Sequence, residues 1–574
     1  MRKPKFSEVK FLVFDIESQG FDKFLIGGVY DGKNFAHTEK TRNFKNLMEL
    51  IFKSPDNITI VYAHFGGIFD FIHVLDFLFN ESPKILIENI ILQGSKILSM
   101  EVVYLNRRMK FIDSSGLFPF SLEKLSKSFG VKHVKIDHDV SNLTEVTPEL
   151  IEYLKNDCVG LYECLDVYFK KNDIYDLPHQ MTRSGLSFQA FKQFNGHVLP
   201  KYSGEINDYS RKSYFGGRTE IFKPIYDNEE KPLYYYDINS LYPSVMREND
   251  FMGATKKFVS KFDENELGIY KMELECPDIE IPLLGIPYQG KYIFPVGKIQ
   301  GYFCSPEINK ALALGYKIKK VYSGITFHNQ GKIFKDFVDF YYSKRLKTSC
   351  PVEKIIYKDI LNHLYGRLGI NQDREEISFE KLDGSRILSE IKIKDYYIHL
   401  YSREKKIYIY SAPALSSFVT SYARLKLYSY FEKASFNNIY YCDTDSLFTT
   451  TQLENSTNLG QMKLEKTLKQ ACFLLPKTYS LIDINNVQDI KLKGIPHKSI
   501  GHIDIDTFFD SVSGEMRLPE FKVQKGLAKI KTGFKNKNLL HIINSSSKSL
   551  KAVYDKREII KLGNEYTTRP KRIR

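Results

Sequence analysis

Asp443-Thr444-Asp445 stands between two β-prone apolar runs, in Ile439-Tyr440-Tyr441-Cys442-Asp443-Thr444-Asp445-Ser446-Leu447-Phe448. That pattern predicts a hairpin with both carboxylates at its tip, pointing the same way. Two acids held so close repel each other unless a divalent cation lies between them. A single Asp-x-Asp turn is ordinarily a solvated hairpin tip, so its meaning depends on what else the chain carries. A second strand, Leu233 to Tyr236, ends at Asp237 and runs into Ile238-Asn239-Ser240-Leu241-Tyr242-Pro243, where Pro243 is expected to stop the strand and expose the acid. Further on, Lys358, Asn362 and Tyr365 recur at i, i+4 and i+7, with Gly366 following. On a helix they share one face, with a lysine able to neutralise phosphate charge beside a ring able to stack on a base.

The first third holds a separate acidic set. Lys10 to Phe14 is an apolar strand leading into Asp15-Ile16-Glu17, and residues two apart on a strand share a face. A second strand, Ile58 to Ala63, leads through His64-Phe65-Gly66-Gly67-Ile68 to Phe69-Asp70. An amphipathic helix, roughly Pro148 to Phe169, carries Tyr153 and Asp157 one turn apart. Such a set suits metal-assisted hydrolysis, with Tyr153 orienting a water beside Asp157. Each pair alone reads as ordinary surface; three acidic sites in order do not.

These residues need elements to position them, and the composition supplies enough. The 574 residues exceed one core and predict three to five domains or subdomains. At 43% hydrophobic and 14% aromatic the chain can fill those cores, and no apolar run is long enough to span a bilayer. The start shows no signal-peptide pattern. Seven cysteines without regular spacing predict reduced thiols in an intracellular setting, with Cys158 and Cys164 as packing residues. A net charge of +14 favours a polyanionic partner. From Pro519 onward, 15 Lys and Arg face 4 Asp and Glu; Lys522, Lys525, Lys529 and Lys531 suit phosphate contacts. The tail Arg569 to Arg574 reads as disordered.

Taken together these motifs resemble the family B DNA polymerases. Asp15-x-Glu17, the segment ending Phe69-Asp70 and Tyr153-x-x-x-Asp157 are similar to that family's three exonuclease motifs. Asp237-x-x-Ser240-Leu241-Tyr242-Pro243, Lys358-x-x-x-Asn362-His363-Leu364-Tyr365-Gly366, and Tyr441-x-Asp443-Thr444-Asp445-Ser446 are similar to its polymerase motifs. Tyr214-x-Gly216-Gly217, followed by Arg218, resembles the linker between the two halves. Thr420-x-x-Ala423-Arg424 resembles a template-contacting motif, and Lys477-x-Tyr479 one that touches the primer. The resemblance implies an RNase H-like 3′→5′ exonuclease domain followed by a right-hand polymerase of palm, fingers and thumb, α/β and α+β in class.

It further implies Asp237, Asp443 and Asp445 as ligands of two magnesium ions in the polymerase site, with manganese as a substitute. Asp15, Glu17, Asp70 and Asp157 would hold two more for 3′→5′ hydrolysis, with Tyr153 beside them. Tyr242, Lys358, Asn362, Tyr365 and Gly366 would take the dNTP, Tyr242 excluding a 2′-hydroxyl. His64, Phe65, Tyr214, Gly216, Gly217, Arg218, Thr420, Arg424, Lys477 and Tyr479 would touch DNA. There are departures: Phe65 replaces an Asn that contacts the primer end, His363 replaces Ser, and Asp113-Ser114-Ser115-Gly116-Leu117 is an irregular Ser-Leu motif. Lys135 is a candidate for the exonuclease lysine.

About 115 residues separate Pro243 from Lys358, more than a palm-to-fingers connection needs. With a second inserted block at about Phe379 to Tyr410, this resembles the protein-primed branch of small phages and linear plasmids. The implied division is exonuclease 1–175, first palm part 176–250, insertion 1 251–345, fingers 346–378, insertion 2 379–410, second palm part 411–507 and thumb 508–574. The implied partners are primer-template and single-stranded DNA, dNTPs and a terminal protein primer, with no membrane and a monomeric state. The expected setting is the cytoplasm of a bacterial host, or the mitochondrion or cytoplasm of a linear-plasmid host. Two rival readings stay open: a repair or primer-independent polymerase of the same family, and a 3′→5′ exonuclease whose C-terminal half only binds DNA.

Overall fold

The computed structural model describes residues 9–573 except 21, 39–42, 82–86, 94–95, 137–143, 174–178, 196–198, 371–374, 379–384, 394–395, 404–410, 496–499, 525–544, 553 and 564. Three large sheets organise it. The first is built around the strand Phe11–Gln19, which runs parallel to Ile60–Ala63 and antiparallel to Lys23–Tyr30. Leu12, Val13, Phe14 and Ile16 are buried there while Asp15 and Glu17 are not fully covered. The pleat therefore sends both acids to one end of the same face. The helix Pro148–Asp173 packs on Phe11–Gln19 and Lys23–Tyr30, burying Leu150, Leu154, Leu161 and Leu165.

The second sheet holds Leu233–Ile238 between Ser446–Thr449 and Met462–Leu475, all antiparallel. Tyr235 stacks on Phe448 at 4.4 Å and Tyr441 on Phe473 at 4.9 Å, an aromatic layer beneath the hairpin tip. Pro243 does not stop the strand. Leu233–Ile238 ends by itself, and the helix Leu241–Glu248 starts before Pro243. There the ring sits in the first turn, where a missing N–H costs nothing.

The third sheet lies in the segment expected as insertion 1. It orders the strands Met252–Val259, Lys317–Asn329, Leu267–Cys276, Val296–Cys304 and Arg572–Ile573. Its last member corrects the expectation of a disordered tail. Arg572 and Ile573 pair in parallel with Val296 and Gly297, and Arg572 bonds Asp278 at 2.8 Å. The helix Lys335–Lys347 crosses the expected boundary at 345/346, and Ile505–Ser513 crosses that at 507/508.

In the segment expected as insertion 2, Ser385–Ile393 and Tyr396–Arg403 pair antiparallel as a hairpin. The preceding strand Glu375–Ser378 pairs with Tyr396–Arg403 on one side and with Ile87–Gln93 on the other. This block thereby continues the first sheet to ten strands. Lys525, Lys529 and Lys531 lie outside the described residues, as does the side chain of Lys522. All seven cysteines are free, six of them buried. No helix among the described residues is long and apolar enough to cross a membrane.

Candidate active sites

Asp237 and the Asp443/Asp445 tip meet because their strands are neighbours. Asp237 pairs with Ser446, and the Ile238 N–H donates to the Asp445 carbonyl at 2.7 Å. Thr444 takes the turn at φ +64°, and the Asp445 N–H donates to the Asp443 carbonyl at 2.8 Å. Burial pushes Asp237 up to about 7, with Asp445 and Glu465 adding and Lys463 and Lys358 opposing. Burial also raises Asp445, and Asp443 contributes. The Asp443 carboxylate is already held: Thr219 Oγ1 donates to it at 3.0 Å and Lys477 Nζ lies at 3.2 Å.

Thr219 and Glu465 escaped the sequence reading. Glu465 sits at a bulge, opposite the gap between Tyr235 and Tyr236 in the register, which aims it toward Asp237. Neither has a spacing signal that could have singled it out.

Lys358, Asn362, Tyr365 and Gly366 lie on the helix Pro351–Leu368. Lys358 and Gly366 are exposed and Asn362 and Tyr365 half-buried. The Tyr365 ring stacks on Tyr242 at 4.1 Å, so the two dNTP candidates from different elements touch. His363 lies 3.4 Å from Asp359, which Arg183 also meets at 3.3 Å.

Several expected DNA contacts are corrected. Arg218 is 3% exposed, bonded to Glu220 at 2.7 Å and to the Pro282 carbonyl at 2.7 Å; its guanidinium lies 4.0 Å from the Phe294 ring centre. Arg424 is 4% exposed and holds Glu307 by two bonds of 2.8 and 2.9 Å. Thr420 is buried, donating to the Ser417 carbonyl at 3.0 Å. Tyr479 is buried against Tyr441 and Phe473. These side chains are turned inward in this structure rather than presented on the surface.

The linker glycines divide. A Cβ on Gly217 would lie 2.7 Å from Thr444 Cγ2, so this glycine makes room for the acidic turn rather than for phosphate. Gly216 opens on free space. The half-buried Tyr214 ring closes on Gly369, at whose Cβ it would come within 2.5 Å.

In the N-terminal part Asp15, Glu17 and Asp157 come together around Lys135, with Asp70 beside Asp15 and Glu17. Burial pushes Asp15 up to about 7, with Asp157 adding and Lys135 opposing. It pushes Glu17 to about 9, with Asp15 adding. Burial, then Asp15, raises Asp70 well above the usual range. Asp157 is also raised, by burial, against the Lys135 ammonium that bonds it. That ammonium lies 4.8 Å from the Tyr153 ring centre.

Asp70 Oδ1 and Asp157 Oδ1 are buried without a hydrogen-bond partner. Such oxygens are costly alone and fit a cation. Among the described residues no trio of His, Cys, Asp or Glu closes on a single point at ligand distance; the acids are near neighbours rather than a finished cage.

His64 is corrected too: Nδ1 lies 2.9 Å from Ser114 Oγ and Nε2 2.7 Å from the Phe120 carbonyl, so both nitrogens are spent inside the domain. Phe65 is half-buried with φ +57°.

Type B DNA polymerases, organellar and viral, define a family pattern that matches residues 52–144 and 132–458, and the chain belongs to that family. It is similar to the DNA-directed DNA polymerase of Enterobacteria phage PRD1, 27% identical over 523 residues, covering 86% of this chain and 87% of that one. It is similar to the DNA polymerase of Bacillus phage Nf, 28% identical over 421 residues, covering 67% of this chain and 68% of that one. A fungal relative, "Probable DNA polymerase" of Ascobolus immersus, is 26% identical over 538 residues, covering 79% of this chain but 43% of its own length. The chain spans about half the length of such fungal relatives. Among solved structures, Phi29 DNA polymerase complexed with primer-template DNA and incoming nucleotides matches with a TM-score of 0.76 at 19% identity. That match covers 95% of this chain and 100% of the other, and it shows the shared fold.

Proposed function

We propose that the chain is a DNA-directed DNA polymerase that adds dNMPs to a primer 3′-hydroxyl and removes them with a 3′→5′ exonuclease. The observation that carries it is the meeting of Asp237 and Asp445 on hydrogen-bonded strands, with about 200 residues of chain between them. Family membership, and the names of the PRD1 and phi29 proteins, support the same substrates here.

In this reading Asp237, Asp445 and Asp443 hold divalent cations, two magnesium ions per site. The cations, when bound, supply charge for the attacking hydroxyl and the leaving pyrophosphate. The chain's own residues do the rest. Lys358 neutralises triphosphate charge, Tyr365 stacks on the new base pair, and Tyr242 stands where a 2′-hydroxyl would clash. Lys477 keeps Asp443 aimed and meets the primer. In the first domain Asp15, Glu17, Asp70 and Asp157 hold the second cation pair, while Tyr153 and Lys135 orient a water at the terminal phosphodiester.

The two inserted blocks support a protein-primed, strand-displacing enzyme inside its host cell, divided as exonuclease, palm, fingers and thumb with insertions. Extension of a primer on a nicked circle, with dNTPs, Mg²⁺ and no helicase, tests the reading. Long displaced products are expected, and no incorporation would overturn it. Adding a terminal protein with a free hydroxyl should start synthesis where bare template does not.

A further inference from the structure

The outer face of the third sheet carries a feature that neither acidic site uses. Lys212 Nζ lies 5.4 Å from the Tyr302 ring centre, and Lys271 lies 5.9 Å from the same ring. Lys271 is also 5.4 Å from the Tyr322 ring, and Lys320 is 4.9 Å from it. The order Lys212, Tyr302, Lys271, Tyr322, Lys320 is thus an unbroken row of cation, ring, cation, ring, cation.

The register explains it. Lys271 and Tyr302 are direct cross-strand partners, and Lys271 faces Ser323 on the opposite side, next to Tyr322. On that face of Leu267–Cys276 the residues alternate outward as Lys271, Glu273 and Glu275, with Met272 and Leu274 buried behind. Tyr322 is 37% exposed, and Tyr302 is half-buried.

The charges on this face are uneven. Glu273 is neutralised by Lys298 at 3.1 Å and Glu275 by Lys319 at 3.2 Å. Lys212 and Lys271 meet rings, and Lys320 meets the Tyr322 ring while facing Glu273, which Lys298 already holds, as its cross-strand partner. A stripe with cations in excess, spaced by one exposed and one half-buried aromatic ring, complements a flexible polyanion with flat apolar groups. We propose that this row binds single-stranded nucleic acid, its phosphates on the three lysines and its bases on Tyr302 and Tyr322.

A base–aromatic stack tolerates any sequence because every base has a π face. Each ring here lies within 6 Å of two lysine ammonium groups, which a phosphate would draw aside. The Tyr322 hydroxyl donates to Glu273 at 3.2 Å, and Tyr209 packs edge-on against Tyr302 with ring centres 5.1 Å apart. Both rings are therefore held in place before any strand arrives. Lys212 immediately precedes Ser213-Tyr214-Phe215-Gly216-Gly217, so the row begins beside the linker. A duplex hides its base faces and would use the lysines alone; an acidic peptide would also ignore the rings.

The test uses the full chain saturated with a chain-terminated primer-template, so that the principal DNA sites are filled. Labelled oligo(dT) is then titrated by fluorescence anisotropy, with photocrosslinking of an iodouracil-substituted oligonucleotide and peptide mapping in parallel. Expected are a second class of sites and crosslinks at Tyr302 or Tyr322. Tyr322→Leu, which keeps the apolar bulk, should weaken that class roughly tenfold. Lys271→Met with Lys320→Met should lower the salt slope by about 1.4, near 0.7 per lysine. Tyr322→Leu should still extend a short primer at the wild-type rate. Crosslinks confined to other regions, or loss in the lysine variant with none in Tyr322→Leu, would overturn the proposal. A chain that extends no primer but still crosslinks at these rings would overturn the polymerase reading and leave this one standing.

Discussion

Arg424 and Glu307 are joined by two hydrogen bonds in the interior of the C-terminal two-thirds of the chain, and the same guanidinium reaches the carbonyls of Phe215 and Gly216 at 2.9 and 3.1 Å. A helix residue thus fixes both a distant carboxylate and the linker backbone. Arg424→Ala leaves Glu307 buried and unpaired, a loss of about 3 to 5 kcal/mol. Denaturant unfolding should show it, and Arg424→Lys should not restore it, since one ammonium cannot make the paired bonds. A loss within 1 kcal/mol would show that water reaches Glu307.

Asp445→Ala should remove nucleotide addition while primer degradation continues. Asp15 and Glu17 lie on another sheet and Asp70 and Asp157 on helices of the N-terminal part, and none of the four shares a hydrogen bond with Asp445. Parallel incorporation and degradation assays check this; equal loss of both activities would show that the two sites are coupled.

Gly217→Ala places a Cβ against Thr444, with its Cα 2.9 Å away. Backbone cannot yield as a side-chain tip does, so the acidic turn must shift. Nucleotide addition should fall at least tenfold with degradation spared, read in the same two assays.

The pH dependence of the metal-free protein follows from the first acidic set. Folded-state values for Asp15 near 7 and Glu17 near 9 exceed those of free carboxyls, so the folded chain binds more protons than the unfolded one. These groups favour the fold below about pH 4, and that contribution fades as pH climbs toward 7 to 9. Melting in chelator should drop across this window, and added Mg²⁺ should recover much of it. Asp70→Asn should flatten the drop; a melting temperature independent of pH and Mg²⁺ would count against the cluster.

Phe65 holds a left-handed backbone that asparagine tolerates better. Phe65→Asn should stabilise the chain by up to about 1 kcal/mol and speed degradation of single-stranded ends. Thermal melts and a single-strand exonuclease assay check both parts.

The elements around the acids were legible because strand alternation and short turns are local signals. Asp15 with Glu17, Tyr153 with Asp157, and Lys358 with Tyr365 all sit on elements of the expected kind. The burial of Arg218, Arg424, Thr420 and Tyr479 is not legible in the motifs because exposure is a tertiary property: a motif gives residue type and spacing, not what later packs over it. Thr219 and Glu465 were invisible because one hydroxyl and one bulged glutamate carry no pattern. The tail misled for a related reason. Arg572 is charged and polar by itself, and only the waiting edge at Val296 and Gly297 makes it a strand.

The pairing of Glu376 and Ile377 with Ile91 and Ile90 bears on how this molecule can be taken apart. Cutting out the N-terminal part as a separate fragment strips Ile87–Gln93 of its neighbour and leaves an isoleucine-rich row of unpaired N–H and C=O groups. Such a row recruits whatever extended chain comes next, so fragments of this kind should self-associate unless a charge or proline blunts that edge.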